Sequence, residues 1–121
     1  MSNKAVVSLA TGLEDAERVT VALLVAVAAA ESGRPTLVFL AKEAARLAVT
    51  GVAVGTACEG CPSIPSLLER YHAAGGELLV CPICFNAKSL GGSALIAGAS
   101  LGGTVQMWEW IEPEAATAFS Y

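Results

Sequence analysis

Apolar residues run along this chain in short unbroken stretches, separated by glycine, proline and charged positions, and that pattern predicts the order of elements. Ala5 to Ala10 (AVVSLA) has no polar alternation, as in a strand covered on both faces of a parallel sheet. Thr11-Gly12 follows, and Leu13-Glu14-Asp15 opens a long helix reaching about residue 32. Its acidic first turn suits the positive end of a helix dipole, and Gly33 and Pro35 punctuate its end. This helix is apolar nearly all round, which predicts burial on more than one side. Thr36 to Leu40 (TLVFL) reads as a second strand and Lys42 to Val49 as a short helix. Glycines at 51, 55 and 60 make Gly51 to Pro62 a loop, with a brief strand at Val52-Ala53-Val54 as the alternative. Ile64 to Ala74 is the clearest helix, because Ile64, Leu67, Leu68 and Tyr71 fall at i, i+3, i+4 and i+7. Ser63 can cap it and Pro65 fits its first turn.

Gly75-Gly76 ends that helix, and Glu77 to Val80 is a strand leading straight into Cys81. Pro82 suits the first helical position of a segment carrying Cys84 to Leu90, which Gly91-Gly92 terminates. A short extended piece is predicted around Ala94 to Ile96, then a helix from Thr104 to Ile111, with the tail 112–121 unassigned. Alternating strands and helices imply crossover connections. The predicted fold is a single α/β domain over residues 1–121, with a mostly parallel sheet and helices on both faces, flavodoxin-like or Rossmann-like.

Composition adds a constraint. Of the 121 residues, 55% are hydrophobic and only 15% charged, against about 25% charged in a typical soluble domain. Apolar surface beyond the core is therefore expected to be buried between subunits. The net charge is −4 with seven Lys and Arg, and no basic run occurs. Nucleic-acid and membrane-surface binding both require such a footprint and are excluded as expectations. Val19 to Ala30 is too short to span a bilayer, and the amino-terminal stretch lacks the pattern of a secretory signal. The expected location is the cytoplasm, where structural disulfides are rare.

The four cysteines therefore need another explanation. They form two C-x-x-C pairs, Cys58/Cys61 and Cys81/Cys84. The spacing suits a tetrahedral zinc site built from all four thiolates. The competing reading centres on Cys81, at the carboxyl end of a predicted strand and just before a helix N-terminus. Ligands and chemistry collect at that edge in open α/β sheets, and a helix N-terminus favours the thiolate. Cys84 would act as a second or resolving thiol. A small buried hydrophobe is the alternative for each.

Several weaker features complete the reading. Thr11-Gly12 is either an anion site or a helix cap. His72 falls on the polar side of its helix. Lys88 can attract an anion near Cys81 or serve as a surface charge. Trp108 and Trp110 cannot share a helix face, so one is expected in the core and the other at an interface.

The run Ser8-Leu-Ala-Thr-Gly-Leu-Glu-Asp-Ala-Glu-Arg18, the apolar helix and Thr36-Leu-Val-Phe-Leu-Ala41 resemble the start of DsrE/DsrF-like proteins. So do Leu67-Leu-Glu-Arg-Tyr71 and Gly75-Gly-Glu-Leu-Leu-Val-Cys-Pro-Ile-Cys-Phe85. The likeness extends from residue 4 to about 111. It implies a small α/β fold assembled as a homo-oligomer, a trimer or hexamer by preference. It also implies a sulfurtransferase-like role in which Cys81 carries sulfane sulfur as a persulfide between a donor and an acceptor protein. Cys84 and the Cys58/Cys61 pair depart from a one-cysteine carrier. The leading expectation has Cys81 and Cys84 as the site and no cofactor. The alternatives are an oligomeric protein holding zinc on Cys58, Cys61, Cys81 and Cys84, and a Cys81/Cys84 thiol–disulfide switch.

Overall fold

The computed structural model describes residues 3–121. Five strands form one sheet: β1 (Lys4–Leu9), β2 (Thr36–Leu40), β3 (Glu77–Val80), β4 (Ala99–Leu101) and β5 (Ala116–Ser120). Their order is β4-β3-β2-β1-β5, and all four pairings are parallel. The single-domain α/β prediction holds, and the sheet is parallel throughout.

The helices are α1 (Ala16–Glu31), α2 (Ile64–Ala73), α3 (Pro82–Ala87) and α4 (Thr104–Ile111), with 3-10 segments at Leu13–Asp15 and Lys42–Ala48. One face of the sheet presents Val7, Leu9, Val38, Leu40, Leu78 and Val80 to a core completed by α1, α2, the 42–48 segment and Phe85. The predicted stripe on α2 is wholly buried, and the Ser63 side chain accepts from the Ser66 amide as its cap. The other face carries Leu37 and Phe39, both nearly inaccessible. Helix α4 contributes no buried residue. It is held at the strand starts, where Lys4 Nζ donates to the carbonyls of Trp110 and Ile111 and Trp110 Nε1 donates to Glu77 at 2.7 Å.

Three expectations are corrected. The extended piece predicted at residues 94–96 makes only an isolated bridge, Leu95 with Val49. The strand itself lies downstream at Ala99–Leu101, because Gly98 takes the turn (φ +82°) before the chain can pair with β3. The unassigned tail becomes β5, an edge strand in register with β1 from Lys4↔Ala116 to Ser8↔Ser120. Neither tryptophan is in the core: Trp110 is half-buried and tied to Lys4 and Glu77, while Trp108 is 59% exposed. Both indoles belong to α4, which buries none of its residues.

Candidate functional site at the carboxyl edge of the sheet

Cys81 immediately follows β3, and its position is set by backbone bonds on both sides. Its amide donates to Leu40 O at the end of β2 (3.0 Å), and its carbonyl accepts from Phe85 N in α3 (2.9 Å). Phe85 is buried in the core, so the α3 turn is anchored by an aromatic side chain three residues beyond Pro82. Cys81 itself is the residue before α3, and its side chain caps nothing. The thiol is free and half-exposed. Cys84 is also a free, half-exposed thiol, but it packs against the hydrophobic core and Cys81 does not. The predicted pair is therefore present at the strand end, with unequal surroundings.

Cys58 and Cys61 are joined to each other by a disulfide. The two pairs are not gathered into one ligand set. Among the described residues, no group of three or more His, Cys, Asp or Glu is placed to hold a metal ion. The reason lies in what each pair is fastened to. The 58–61 turn sits against α1, with Cys58 Sγ 3.6 Å from Thr20 Oγ1, whereas Cys81 is held between β2 and α3.

The charged residues near α3 have partners of their own. Lys88, at the end of α3, donates to Glu43 at 2.8 Å, and Glu43 also accepts from Arg46 at 2.8 Å. Lys88 is therefore committed to a carboxylate rather than open to an incoming anion. The sequence analysis missed this clamp; the i, i+3 spacing of Glu43 and Arg46 was its only local sign. The hydrogen bonds from Lys88 and then Arg46 hold the Glu43 carboxyl below the usual carboxylate range. A depressed folded-state value means that the clamp stabilises above the unfolded carboxyl's range and fades as pH falls through the folded value. A Glu43→Gln variant is expected to flatten the acid limb of a stability-versus-pH curve, read as Tm between pH 7 and pH 3. An unchanged acid limb would remove the clamp from the account.

The Thr11-Gly12 feature resolves as an internal contact. The Gly12 amide donates to the Glu14 side chain at 2.7 Å, so the chain's own carboxylate takes the anion position, and Asp15 caps α1. Gly12 also lies against Glu43, whose carbonyl oxygen would be 2.6 Å from an added Cβ. His72 lies away from the cysteines. It packs beside Gly98, at the amino end of β4, which is the opposite edge of the sheet from Cys81. There it borders an apolar cavity of about 300 Å³ with Leu47, Val54, Leu68 and Ile96. It is therefore not in a position to serve as a base for Cys81.

Neither a protein-family model nor the sequence of a curated protein matches the chain. Solved structures do: nine chains match. One is the crystal structure of the ychN protein from E. coli, with a TM-score of 0.80, 21% sequence identity and the full length of both chains covered. The chain is similar in fold to ychN. At that identity the likeness establishes the fold alone, and the chemistry has to be argued from the cysteines. No helix among the described residues is long and apolar enough to cross a membrane.

Proposed function

We propose that the protein is a sulfurtransferase-like carrier that holds sulfane sulfur as a persulfide on Cys81. The observation that carries this reading is a free, half-exposed thiol at the carboxyl end of a central strand, with its backbone pinned by β2 and α3. The resemblance to DsrE/DsrF-like proteins supports it, and the fold shared with ychN agrees with it. In the loading step the Cys81 thiolate attacks the outer sulfur of a donor persulfide. The donor's S–S bond breaks and its thiolate leaves, so no net oxidation occurs. Transfer to an acceptor thiolate is the same step reversed in direction. Cys84, packed on the core side, assists as the second thiol. The reading has no resident metal or cofactor, and it puts the protein in the cytoplasm, where donor and acceptor thiols stay reduced. The test is intact-mass analysis of the protein after brief exposure to a persulfide donor, with peptide mapping of the added sulfur. Sulfur on Cys81 supports the reading, and a chain that takes up none overturns it.

The carrier works as a homo-oligomer in this proposal, with a trimer or hexamer favoured by the family resemblance. Two separate apolar surfaces support assembly. Val105 and Trp108 on α4 are 63% and 59% exposed. On the outer side of α1, Val21 and Leu24 are 44% and 43% exposed, where a lone domain would carry polar residues. Light scattering at micromolar concentration is expected to give a multiple of the 12.3 kDa chain mass, and Trp108→Glu is expected to reduce it. A monomer in both proteins would end the proposal.

A further inference from the structure

We propose that Cys58 and Cys61 form a second, redox-active site, a disulfide that exchanges with small thiols, in which Cys61 is the sulfur attacked and Cys58 the sulfur that leaves. This site is separate from Cys81 and does not depend on it.

The turn that carries the bridge is held by its backbone. The Cys61 amide donates to Cys58 O at 3.0 Å, and Gly60 supplies the left-handed conformation the turn needs (φ +76°). Reduction removes the S–S bond without removing either feature. The two thiols stay side by side, so closing the bridge again is an intramolecular step at high effective concentration. The bridge is also poorly placed as a staple. It joins residues only three apart in sequence, and the loop-closure entropy a disulfide takes from the unfolded chain is smallest for the shortest loops. It fastens no strand to any helix. An exchange partner has access, because both cysteines are half-exposed and Ala57, Glu59 and Gly60 around them are exposed.

The two sulfurs differ. Cys58 Sγ lies 3.6 Å from Thr20 Oγ1. Thr20 is buried, and its hydroxyl donates to Ala16 O at 2.7 Å. With that hydrogen committed, the oxygen presents a lone pair to the sulfur and can accept from a Cys58 S–H. Cys61 Sγ makes its hydrogen-bond contact within its own turn, exposed and 3.7 Å from Glu59 O. An external thiolate therefore reaches Cys61. It forms a mixed disulfide there as the Cys58–Cys61 bond breaks, and Cys58 leaves as a thiolate that takes a proton and donates it in a hydrogen bond to Thr20. A second external thiolate then attacks the external sulfur of the mixed disulfide and releases Cys61. Two thiols are oxidised to one disulfide, and the protein's bridge gains two electrons and two protons. The substrates are small thiols and dithiols, or their disulfides in the reverse direction.

The test uses the full chain carrying Cys81→Ser and Cys84→Ser, so that only this pair can react. After equilibration with mixtures of reduced and oxidised glutathione, acid quenching and alkylation, mass spectrometry counts free thiols. Both thiols are expected to appear and disappear reversibly without denaturant, while the far-UV circular dichroism spectrum is retained. A bridge that opens only in denaturant, a fold lost on reduction, or a pair that never closes in oxidised glutathione would each overturn the proposal. The order of attack is read by adding Cys58→Ser or Cys61→Ser to that background and following mixed-disulfide formation with oxidised glutathione. Cys61 is expected to react at least roughly tenfold faster than Cys58, since access governs exchange. Equal or inverted rates would overturn the assignment of roles.

Discussion

Replacing Cys81 by serine is expected to abolish sulfur loading and to leave the fold in place. Serine keeps the backbone amide that bonds Leu40 and the carbonyl that accepts from Phe85, so β3 and α3 stay joined as in the parent chain. What it removes is the thiolate, the form that attacks sulfur; a serine hydroxyl does not ionise near neutral pH and cannot form a persulfide. The loss should be at least about 100-fold in sulfur incorporated from a persulfide donor, because no other sulfur occupies that position. Cys84→Ser is the informative partner. Cys84 packs against the core, so its replacement should cost some stability and alter release of the sulfur while initial loading survives. Limiting iodoacetamide should likewise label Cys81 before Cys84, and the bridged Cys58 and Cys61 only after reduction. Undiminished loading in Cys81→Ser, or loading lost in Cys84→Ser alone, would move the carrier role away from the strand end.

Gly76→Ala should be among the most destabilising single substitutions in the chain, although it adds one methyl group far from the cysteines. A Cβ at position 76 would overlap the ring of Tyr71. That ring cannot yield. Tyr71 is fully buried, and its hydroxyl is held by Glu77 O at 2.7 Å and Thr36 O at 3.0 Å. Burial raises the phenol far above its ordinary range, so it stays a neutral donor at any working pH. Overpacking a rigid site of this kind costs about 3 kcal/mol, a fall in Tm on the order of 10 °C for a domain of this size. Tyr71→Phe should cost roughly 1–3 kcal/mol by leaving buried carbonyls short of a donor, and it should not relieve Gly76→Ala, because the clash is with the ring. Combining Gly76→Ala with Tyr71→Leu should relieve it, giving a double variant more stable than the two single losses added together. Thermal unfolding of the three single and two double variants decides this; simple additivity with Tyr71→Leu would mean that the ring does not set the tolerance at position 76.

The same glycine pair shows how the strand end is built. Gly75 takes a left-handed turn (φ +88°) to end α2, and Gly76 allows the chain to pass close over Tyr71 into β3. Together they fix where β3 begins and so where Cys81 emerges. The Gly-Gly, strand, cysteine sequence that carried the family resemblance is therefore a positioning device with a steric cause.

Much of this was legible in the residues alone. β1, β2, α2, β3 and α4 were readable because each is a local pattern: an unbroken apolar run for a strand covered on both faces, or an i, i+3, i+4, i+7 stripe between a capping serine and a glycine pair. Cys81 at a strand end followed directly from that order, since a parallel sheet sends every such end to one edge. The tertiary structure decided what depends on residues distant in sequence. The tail became β5 only because β1 offers an open edge more than one hundred positions earlier, and no local feature of Ala116–Ser120 announces that partner. Lys88 was assigned to Glu43 across 45 positions, and Gly12 was filled by Glu14 and packed on Glu43. The two C-x-x-C pairs look equivalent as spacing. They part company in space, because one lies in a self-held turn against Thr20 and closes on itself, while the other straddles a helix start between two strands. Periodicity records what each segment buries, and that is a property of the segment. Which sulfur meets which neighbour is a property of the packed whole, and only the assembled sheet settles it.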